Sequence, residues 1–103
     1  MITDYLNKKT IRLKVEAHDR EEAIREASAC LVEDKKIRQE YVEQMIDALH
    51  KFGPYIVVIP GIALAHAEAG ETVLEECMSM ITLKEPVVFG HESNDPGSIV
   101  FVI

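Results

Sequence analysis

The chain has few residues of several kinds, and each shortage excludes a class of protein. Its 103 residues include no tryptophan, two cysteines, four prolines and five glycines. So few cysteines exclude a disulfide-rich scaffold, and so little proline and glycine exclude collagen-like or low-complexity chains. Hydrophobic residues make up 48% and charged residues 28%, which is typical of a folded globular protein. The length predicts one domain spanning residues 1–103.

Basic residues are scarce in the second half of the chain. The net charge is −7. Residues 52–103 contain seven Asp and Glu but only one Lys or Arg, which is Lys84. A chain this acidic, without a basic patch, is poorly suited to bind nucleic acid or an anionic membrane surface. We therefore expect no nucleic-acid partner.

Long hydrophobic runs are missing as well. The run at residues 55–59, which none exceeds, falls far short of the roughly 18–20 residues of a membrane span, and the N-terminus lacks the apolar segment of a signal peptide. Cys30 and Cys77 form no C-x-x-C pair, so reduced thiols are expected rather than a disulfide. These features predict a cytoplasmic protein that does not insert into a membrane.

Two amphipathic helices are predicted in the first half. Asp19 and Glu22 have the spacing of a capping box, and the apolar residues that follow recur with a helical period, which predicts a helix over residues 20–33. A second helix is predicted to end at Gly53, because glycine followed by proline is a typical helix stop. Its apolar stripe comprises Tyr41, Val42, Met45, Ile46, Leu49 and Phe52.

The remaining apolar segments predict strands. Residues 10–15 alternate, which places Ile11, Leu13 and Val15 on one face, and the other candidates are residues 55–59, 62–67, 76–83, 87–89 and 99–103. Strands this close together after residue 55 exclude a purely parallel sheet and predict an α/β or α+β sandwich.

The chain ends inside an apolar run, residues 99–103. Termini are more often polar, so this ending predicts a domain that is incomplete at its C-terminal end. A terminal strand at the edge of the sheet would also invite self-association, so a homo-oligomer is one expected state.

The usual local signatures of catalysis are absent. The sequence has no Gly-rich nucleotide loop and no G-x-S-x-G motif, and His91-Glu92 begins like the zinc motif H-E-x-x-H but has Asp95 in the fifth place. The sequence therefore offers no ready nucleotide cradle and no zinc motif at His91. His18 and His50 fall at predicted helix ends and are expected to be surface or capping residues.

His66 is the residue best placed for chemistry. It follows a segment in which small alanines alternate with Ile62 and Leu64, and in an extended chain His66 shares the face of those two residues. The pattern leaves four roles open for this imidazole: a hydrogen-bonded residue at the core edge, a general base, a metal ligand or a nucleophile toward phosphorus.

The string G-P-Y-I-V-V-I-P-G-I-A-L-A-H-A, residues 53–67, closely resembles a known active-site segment. It is similar to that of the enzyme IIA domains of the mannitol/fructose type (type 2) in the sugar phosphotransferase system (PTS), and most similar to the ascorbate-type subgroup. The stretches T-I-R-L-K-V-E-A, residues 10–17, and L-K-E-P-V-V-F-G-H-E-S-N-D-P, residues 83–96, agree with it. The resemblance implies an α/β fold in which helices pack on a mixed β-sheet.

The same resemblance implies a function. In such domains the histidine at the position of His66 accepts a phosphoryl group from the phosphocarrier protein HPr and passes it to a cysteine of the cognate enzyme IIB during sugar uptake. Backbone N–H groups near Pro60-Gly61 and Ala69-Gly70 are expected to donate hydrogen bonds to the phosphoryl oxygens. His91 matches a position in the F-x-H-E-x-N-D-P loop, so we expect it to be a loop or rim residue. The resemblance also implies that the site needs neither a nucleotide nor a metal.

The chain departs from the family pattern in three respects. Ala65 and Ala69 replace prolines, Glu68 stands where the ascorbate-type motif has arginine, and a second histidine that belongs to a continuation beyond the 99–103 strand is absent. A carboxylate about 5–6 Å from a doubly charged phosphoryl group costs about 1–2 kcal/mol in water-like dielectric. That cost corresponds to roughly tenfold or more in rate.

These departures leave two alternatives to an efficient phosphotransferase component. One is a non-catalytic or regulatory IIA-like module that binds a partner, which Glu68 and the acidic second half favour. The other is an unrelated histidine-dependent hydrolase, for which the sequence offers no set of nucleophile, base and acid.

Overall fold

A computed structural model describes residues 2–68 and 70–103, which form two helices and five strands after a short 3₁₀ turn at Ile2–Asp4. In chain order the elements are β1 (Ile11–Val15), α1 (Arg20–Glu33), α2 (Gln39–Phe52), β2 (Val57–Ile59), β3 (Ile62–Ala65), β4 (Ser79–Val87) and β5 (Gly97–Val102).

The strands form one mixed sheet in the order β1-β4-β5-β3-β2. The β4–β5 and β2–β3 pairs are antiparallel, whereas β1 runs parallel to β4 and β3 runs parallel to β5. The predicted mixed sheet with helices packed on it is therefore confirmed.

Helix α1 begins and ends where the sequence predicts, and α2 ends where the sequence predicts. The Asp19 carboxylate accepts a hydrogen bond from the backbone N–H of Glu22 at 2.8 Å, so the cap starts α1 as expected. Gly53 ends α2 with φ +82°, a conformation that glycine adopts without strain, and its N–H donates to the Leu49 carbonyl.

The core lies between the helices and one face of the sheet. The buried Ser79 hydroxyl of β4 donates to the Ala27 carbonyl of α1 at 2.6 Å, and α2 packs beside α1. The sheet residues on this face are fully or almost fully buried: Ala63, Ala65, Ile81, Val100 and Val102. Alternate residues of each strand therefore supply the core.

The opposite face of the sheet is also apolar, but its side chains are only half-buried. Strand register places Ile11, Met80, Phe101 and Leu64 in one row across four strands. Neither α1 nor α2 covers this row, because both helices pack on the other face. We call this surface the open face.

Two strand predictions are wrong in detail. Leu13 does not join Val15 in the core but is 67% exposed, because Lys14 has φ +56° and the β1–β4 register shifts between Arg12 and Val15. Residues 84–86 do not separate two strands, since β4 continues through them to Val87. The separate strand predicted at residues 87–89 therefore does not form.

The terminal strand is not an edge strand. β5 pairs with β4 on one side and with β3 on the other, and the edges of the sheet are β1 and β2. The expectation that an unpaired terminal strand drives self-association is therefore wrong in its premise.

Candidate functional site

His66 directly follows β3, at the end of the sheet where the parallel strands β3 and β5 finish. Its neighbours Ala63 and Ala65 are buried toward the helices, whereas Ile62, Leu64 and His66 are half-buried. The predicted alternation is therefore confirmed, and it leaves the imidazole accessible beside the open face.

One ring nitrogen of His66 has a fixed partner. Nδ1 lies 2.7 Å from the backbone carbonyl oxygen of Leu64, two residues earlier. A carbonyl oxygen can only accept, so Nδ1 must carry the hydrogen of this bond. In the neutral imidazole, Nε2 is then the nitrogen with the free lone pair. The backbone of β3 thus selects the tautomer that exposes a nucleophile or a general base at Nε2.

Tyr55 contacts His66 from the neighbouring hairpin arm. The two rings meet edge to face, with centroids 5.2 Å apart and planes at 88°, and the tyrosine hydroxyl donates to the His66 carbonyl at 3.2 Å. Phe52, at the end of α2, packs edge to face on Tyr55 with a centroid distance of 6.3 Å. Three rings therefore form a row that ends at the candidate histidine.

The segment after His66 is tied to α2. The N–H of Ala67 donates to the hydroxyl of Tyr41 at 3.1 Å, and that hydroxyl lies 3.0 Å from the carbonyl of Ile103. Tyr41 is 3% exposed, and burial raises the pKa of its phenol. A buried, neutral tyrosine thus holds the chain on the C-terminal side of the candidate site.

Glu68 is exposed and lines a polar cavity of about 460 Å³ next to α2. Two further carboxylates, of Glu40 and Glu71, line the same cavity, together with Arg38, the residue that precedes α2. The surroundings of Glu68 are therefore mainly acidic, as the charge distribution of the sequence predicts.

The turn at Pro60-Gly61 does not reach His66. Gly61 precedes β3 and His66 follows it, so the four residues of β3 separate them and their Cα atoms are roughly 16 Å apart. The Gly61 N–H also already donates to the Asn94 carbonyl at 3.0 Å. The expectation that this turn supplies phosphoryl donors is wrong, and the expected role of Ala69 falls on a residue outside the described ranges.

His91 lies in the loop between β4 and β5, at the end of the sheet opposite to His66. Its Nδ1 accepts hydrogen bonds from the N–H groups of Ser93 at 3.1 Å and Asn94 at 3.0 Å. The Asp95 carboxylate accepts from the N–H groups of Phe89 and Gly90, which closes the same loop. His91 is therefore a loop residue, as expected, although it lies far from the rim of a site at His66.

The other two histidines are exposed, as the sequence predicts. His50 lies in the last turn of α2, where its Nε2 is 2.8 Å from the Glu21 carboxylate of α1, and His18 lies between β1 and α1. Within residues 2–68 and 70–103, no three His, Cys, Asp or Glu side chains cluster as a metal site would require.

Cys30 and Cys77 are free thiols, as predicted. Both are half-buried, and burial raises the pKa of each thiol. Neither is therefore activated as a nucleophile. In the part of the chain that is described, neither helix has the length and apolar composition needed to cross a membrane.

The importance of Tyr55 was not predicted. It belongs to the G-P-Y string, but the sequence places it in a strand rather than beside an imidazole. Its contact depends on the β2–β3 hairpin register, in which Val57 pairs with Ala63. If that register continues for two more residues, Tyr55 lies opposite Ala65, next to His66. The hairpin register was therefore the feature from which this contact could have been predicted.

A family comparison matches residues 4–103 to the phosphoenolpyruvate-dependent sugar phosphotransferase system EIIA 2 family. Among curated proteins, the ascorbate-specific PTS system EIIA component of Escherichia coli K12 is 36% identical over 95 residues, which are 92% of this chain and 62% of that protein. The chain therefore spans less than two thirds of the length of this relative.

Solved structures show the same fold. The mannitol-specific cryptic phosphotransferase enzyme IIA of Escherichia coli has a TM-score of 0.86 at 27% identity and covers 98% of this chain and 68% of its own. The crystal structure of Escherichia coli IIA mannitol has a TM-score of 0.82 at 33% identity, over 94% of this chain and 69% of its own.

A third neighbour is the enzyme IIA component in a complex of Escherichia coli mannitol IIA with phosphorylated IIB, with a TM-score of 0.82 at 31% identity over 94% of this chain and 67% of its own. Sequence and structure agree over nearly the whole chain, and the chain belongs to the EIIA 2 family of the sugar phosphotransferase system.

Proposed function

We propose that this chain is a phosphocarrier domain in which Nε2 of His66 accepts a phosphoryl group from phosphorylated HPr and passes it to the cysteine of a cognate enzyme IIB. The observation that carries this proposal is the 2.7 Å hydrogen bond between Nδ1 of His66 and the Leu64 carbonyl. It leaves Nε2 as the unprotonated nitrogen of a neutral imidazole. Such a domain works in the cytoplasm.

The transfer step follows from that hydrogen bond. The lone pair of Nε2 forms a bond to phosphorus while the bond between phosphorus and the donor nitrogen of HPr breaks. Because Nδ1 keeps its hydrogen, the phosphorylated ring carries positive charge, and the Leu64 carbonyl then accepts a charge-assisted hydrogen bond. The positive ring is also a good leaving group when the IIB thiolate attacks phosphorus in the second step.

Family membership supports the reaction class, and the IIA–IIB complex among the structural neighbours supports a IIB partner. The similarity to ascorbate-specific components suggests an ascorbate-type transport system. The sugar itself is not expected to touch this domain, since the domain handles the phosphoryl group alone.

Incubation with phosphorylated HPr, followed by intact-mass measurement, tests this function. The wild type is expected to gain the mass of one phosphoryl group, and the label should be lost in mild acid. His66→Ala is expected to gain nothing, whereas His50→Ala, a change at an exposed histidine, should be labelled like the wild type. An unlabelled wild type or a labelled His66→Ala would refute the proposal.

Glu68 favours a second candidate, a regulatory module that binds a partner without efficient transfer. Its carboxylate replaces an arginine and shares a cavity with Glu40 and Glu71, so an incoming phosphoryl group meets negative charge. This alternative predicts that calorimetry detects binding of HPr or IIB, whether phosphorylated or not, while His66 remains largely unlabelled.

A further inference from the structure

Tyr55 touches His66 at two places at once. Its ring lies edge to face against the imidazole, at a centroid distance of 5.2 Å and an angle of 88°. Its hydroxyl donates to the backbone carbonyl of His66 at 3.2 Å. One side chain therefore restrains both the ring and the backbone of the candidate nucleophile.

Tyr55 is itself held in place, although it is 39% exposed. Its N–H donates to the Gly53 carbonyl at 2.9 Å, in the tight turn that ends α2. On its far side the Phe52 ring packs against it at 82°. A side chain braced by a turn and by a second ring loses little additional freedom when it restrains a third ring.

The hydrogen bond at Nδ1 does not by itself fix the imidazole. The χ2 torsion of histidine has a broad energy well, so the ring can still rotate about χ2 while it keeps the hydrogen bond to the Leu64 carbonyl. Packing of the Tyr55 ring against the imidazole limits that swing. A nucleophile that stays in its attacking orientation reacts faster, because less orientational freedom must be lost in the transition state.

We propose that Tyr55 is a positioning residue for His66, whose ring and hydroxyl hold the imidazole in the orientation and tautomer that expose Nε2. As far as it concerns phosphoryl transfer, this inference rests on the proposed function. Its effect on the tautomer of His66 does not.

Three variants test the proposal. Tyr55→Leu removes both contacts with His66, Tyr55→Phe keeps the ring and removes the hydroxyl, and Leu13→Ala is the control. Leu13 is a 67% exposed apolar residue of the edge strand β1, on the other side of the sheet from β2. Urea unfolding of each variant verifies that the domain is folded before any other measurement.

The first readout is the ¹⁵N spectrum of the His66 ring, which reports the tautomer without any partner protein. The wild type is expected to have its hydrogen on Nδ1. Tyr55→Leu should shift the population toward the Nε2–H tautomer, because a loosened ring forms the Leu64 bond less often. Tyr55→Phe should shift it less in the same direction, because the ring contact remains, and Leu13→Ala should stay close to the wild type.

The second readout is the steady-state transfer from phosphorylated HPr. Tyr55→Leu is expected to lower kcat about three- to tenfold with KM within about twofold, the size of effect typical of one aromatic pair. In Tyr55→Phe, kcat should fall about twofold. A residue that merely bound the partner would change KM instead.

The proposal is wrong if Tyr55→Leu keeps the wild-type tautomer, if its loss appears in KM alone, or if Leu13→Ala has the same effect. Should Tyr55→Leu fail to fold, Tyr55→Phe decides, since an unchanged kcat there would contradict a role for the hydroxyl. A wild type that accepts no phosphoryl group would refute the proposed function, and the ¹⁵N spectra would still decide the role of Tyr55.

Discussion

The hydroxyl of Tyr41 accepts a hydrogen bond from the backbone N–H of Ala67 at 3.1 Å, one residue after His66. The same hydroxyl lies 3.0 Å from the Ile103 carbonyl. Helix α2 therefore holds the ends of two strands together, and it does so immediately beside the candidate nucleophile. One hydroxyl therefore contributes both to the stability of the fold and to the placement of the site.

Tyr41→Phe is therefore expected to destabilise the protein by about 1 kcal/mol, because it removes the hydrogen bonds of a buried hydroxyl to the part-buried N–H of Ala67 and to the carbonyl of Ile103. Urea unfolding measures the change. Tyr5→Phe is the matched control, since the Tyr5 hydroxyl donates to the exposed Glu76 carboxylate at 3.1 Å. The control should change stability by less than about 0.5 kcal/mol. Equal losses in the two variants would contradict a special role for Tyr41.

The burial of Tyr41 also predicts a dependence of stability on alkaline pH. Burial raises the pKa of its phenol in the folded state above that of the unfolded chain, which is about 10. The resulting stabilisation is fully present below the unfolded pKa and is lost as pH rises through the folded pKa. The free energy of unfolding, measured from about pH 8 to about pH 11, should fall more steeply for the wild type than for Tyr41→Phe. Parallel curves would assign the alkaline loss to other groups.

Gly97, the first residue of β5, has no room for a side chain. A Cβ there would lie 2.7 Å from Cε1 and 2.9 Å from Cδ1 of Phe89, whose side chain is fully buried. Gly97→Ala is thus expected to cost about 1–3 kcal/mol of stability through overpacking. Gly70→Ala, where a Cβ meets nothing within 4 Å, should be close to neutral. Thermal or urea unfolding compares the two variants.

A double variant identifies the cause. Phe89→Leu makes space next to Gly97, so the added cost of Gly97→Ala should shrink in that background. If the two changes were simply additive, the clash with the Phe89 ring would not be the reason for the loss.

The helices were predictable because their signals are local. The cap at Asp19 and the stop at Gly53 each involve contacts within a few residues, so the sequence contains them in full. The strand errors arise from pairing between distant segments. Residues 84–86 have the composition of a turn, yet β4 continues because Val87 pairs with Gly97 at the far end of the ladder.

The same distinction applies to the candidate site. His66 could be proposed from a short motif, and its partner Leu64 lies on the same strand. Tyr55 and Tyr41 reach the site from other elements, through hairpin register and helix packing that no local pattern specifies. Conversely, Gly61 is near His66 in the motif and yet lies at the other end of β3.

Glu68 is expected to slow phosphoryl transfer through its charge. Glu68→Arg replaces a repelling carboxylate two residues from His66 with a cation, and removing a repulsion of about 1–2 kcal/mol should raise the rate of phosphorylation by roughly tenfold. Because Glu68 is exposed, solvent and salt screen this effect, so the gain should shrink as ionic strength rises. The measurement is the rate of labelling by phosphorylated HPr at low and high salt.

Glu71→Arg separates the local effect from that of net charge. Glu71 is also exposed and lines the same cavity as Glu68, so both variants change the net charge by +2 while only one alters the residue next but one to His66. We expect Glu71→Arg to accelerate labelling by less than about threefold, because Glu71 is five residues from His66 in the chain rather than two and the field of an exposed charge is screened with distance. Equal acceleration in both variants would mean that overall charge governs the encounter with HPr. An unchanged or slower rate in Glu68→Arg would show that the carboxylate does not hinder transfer.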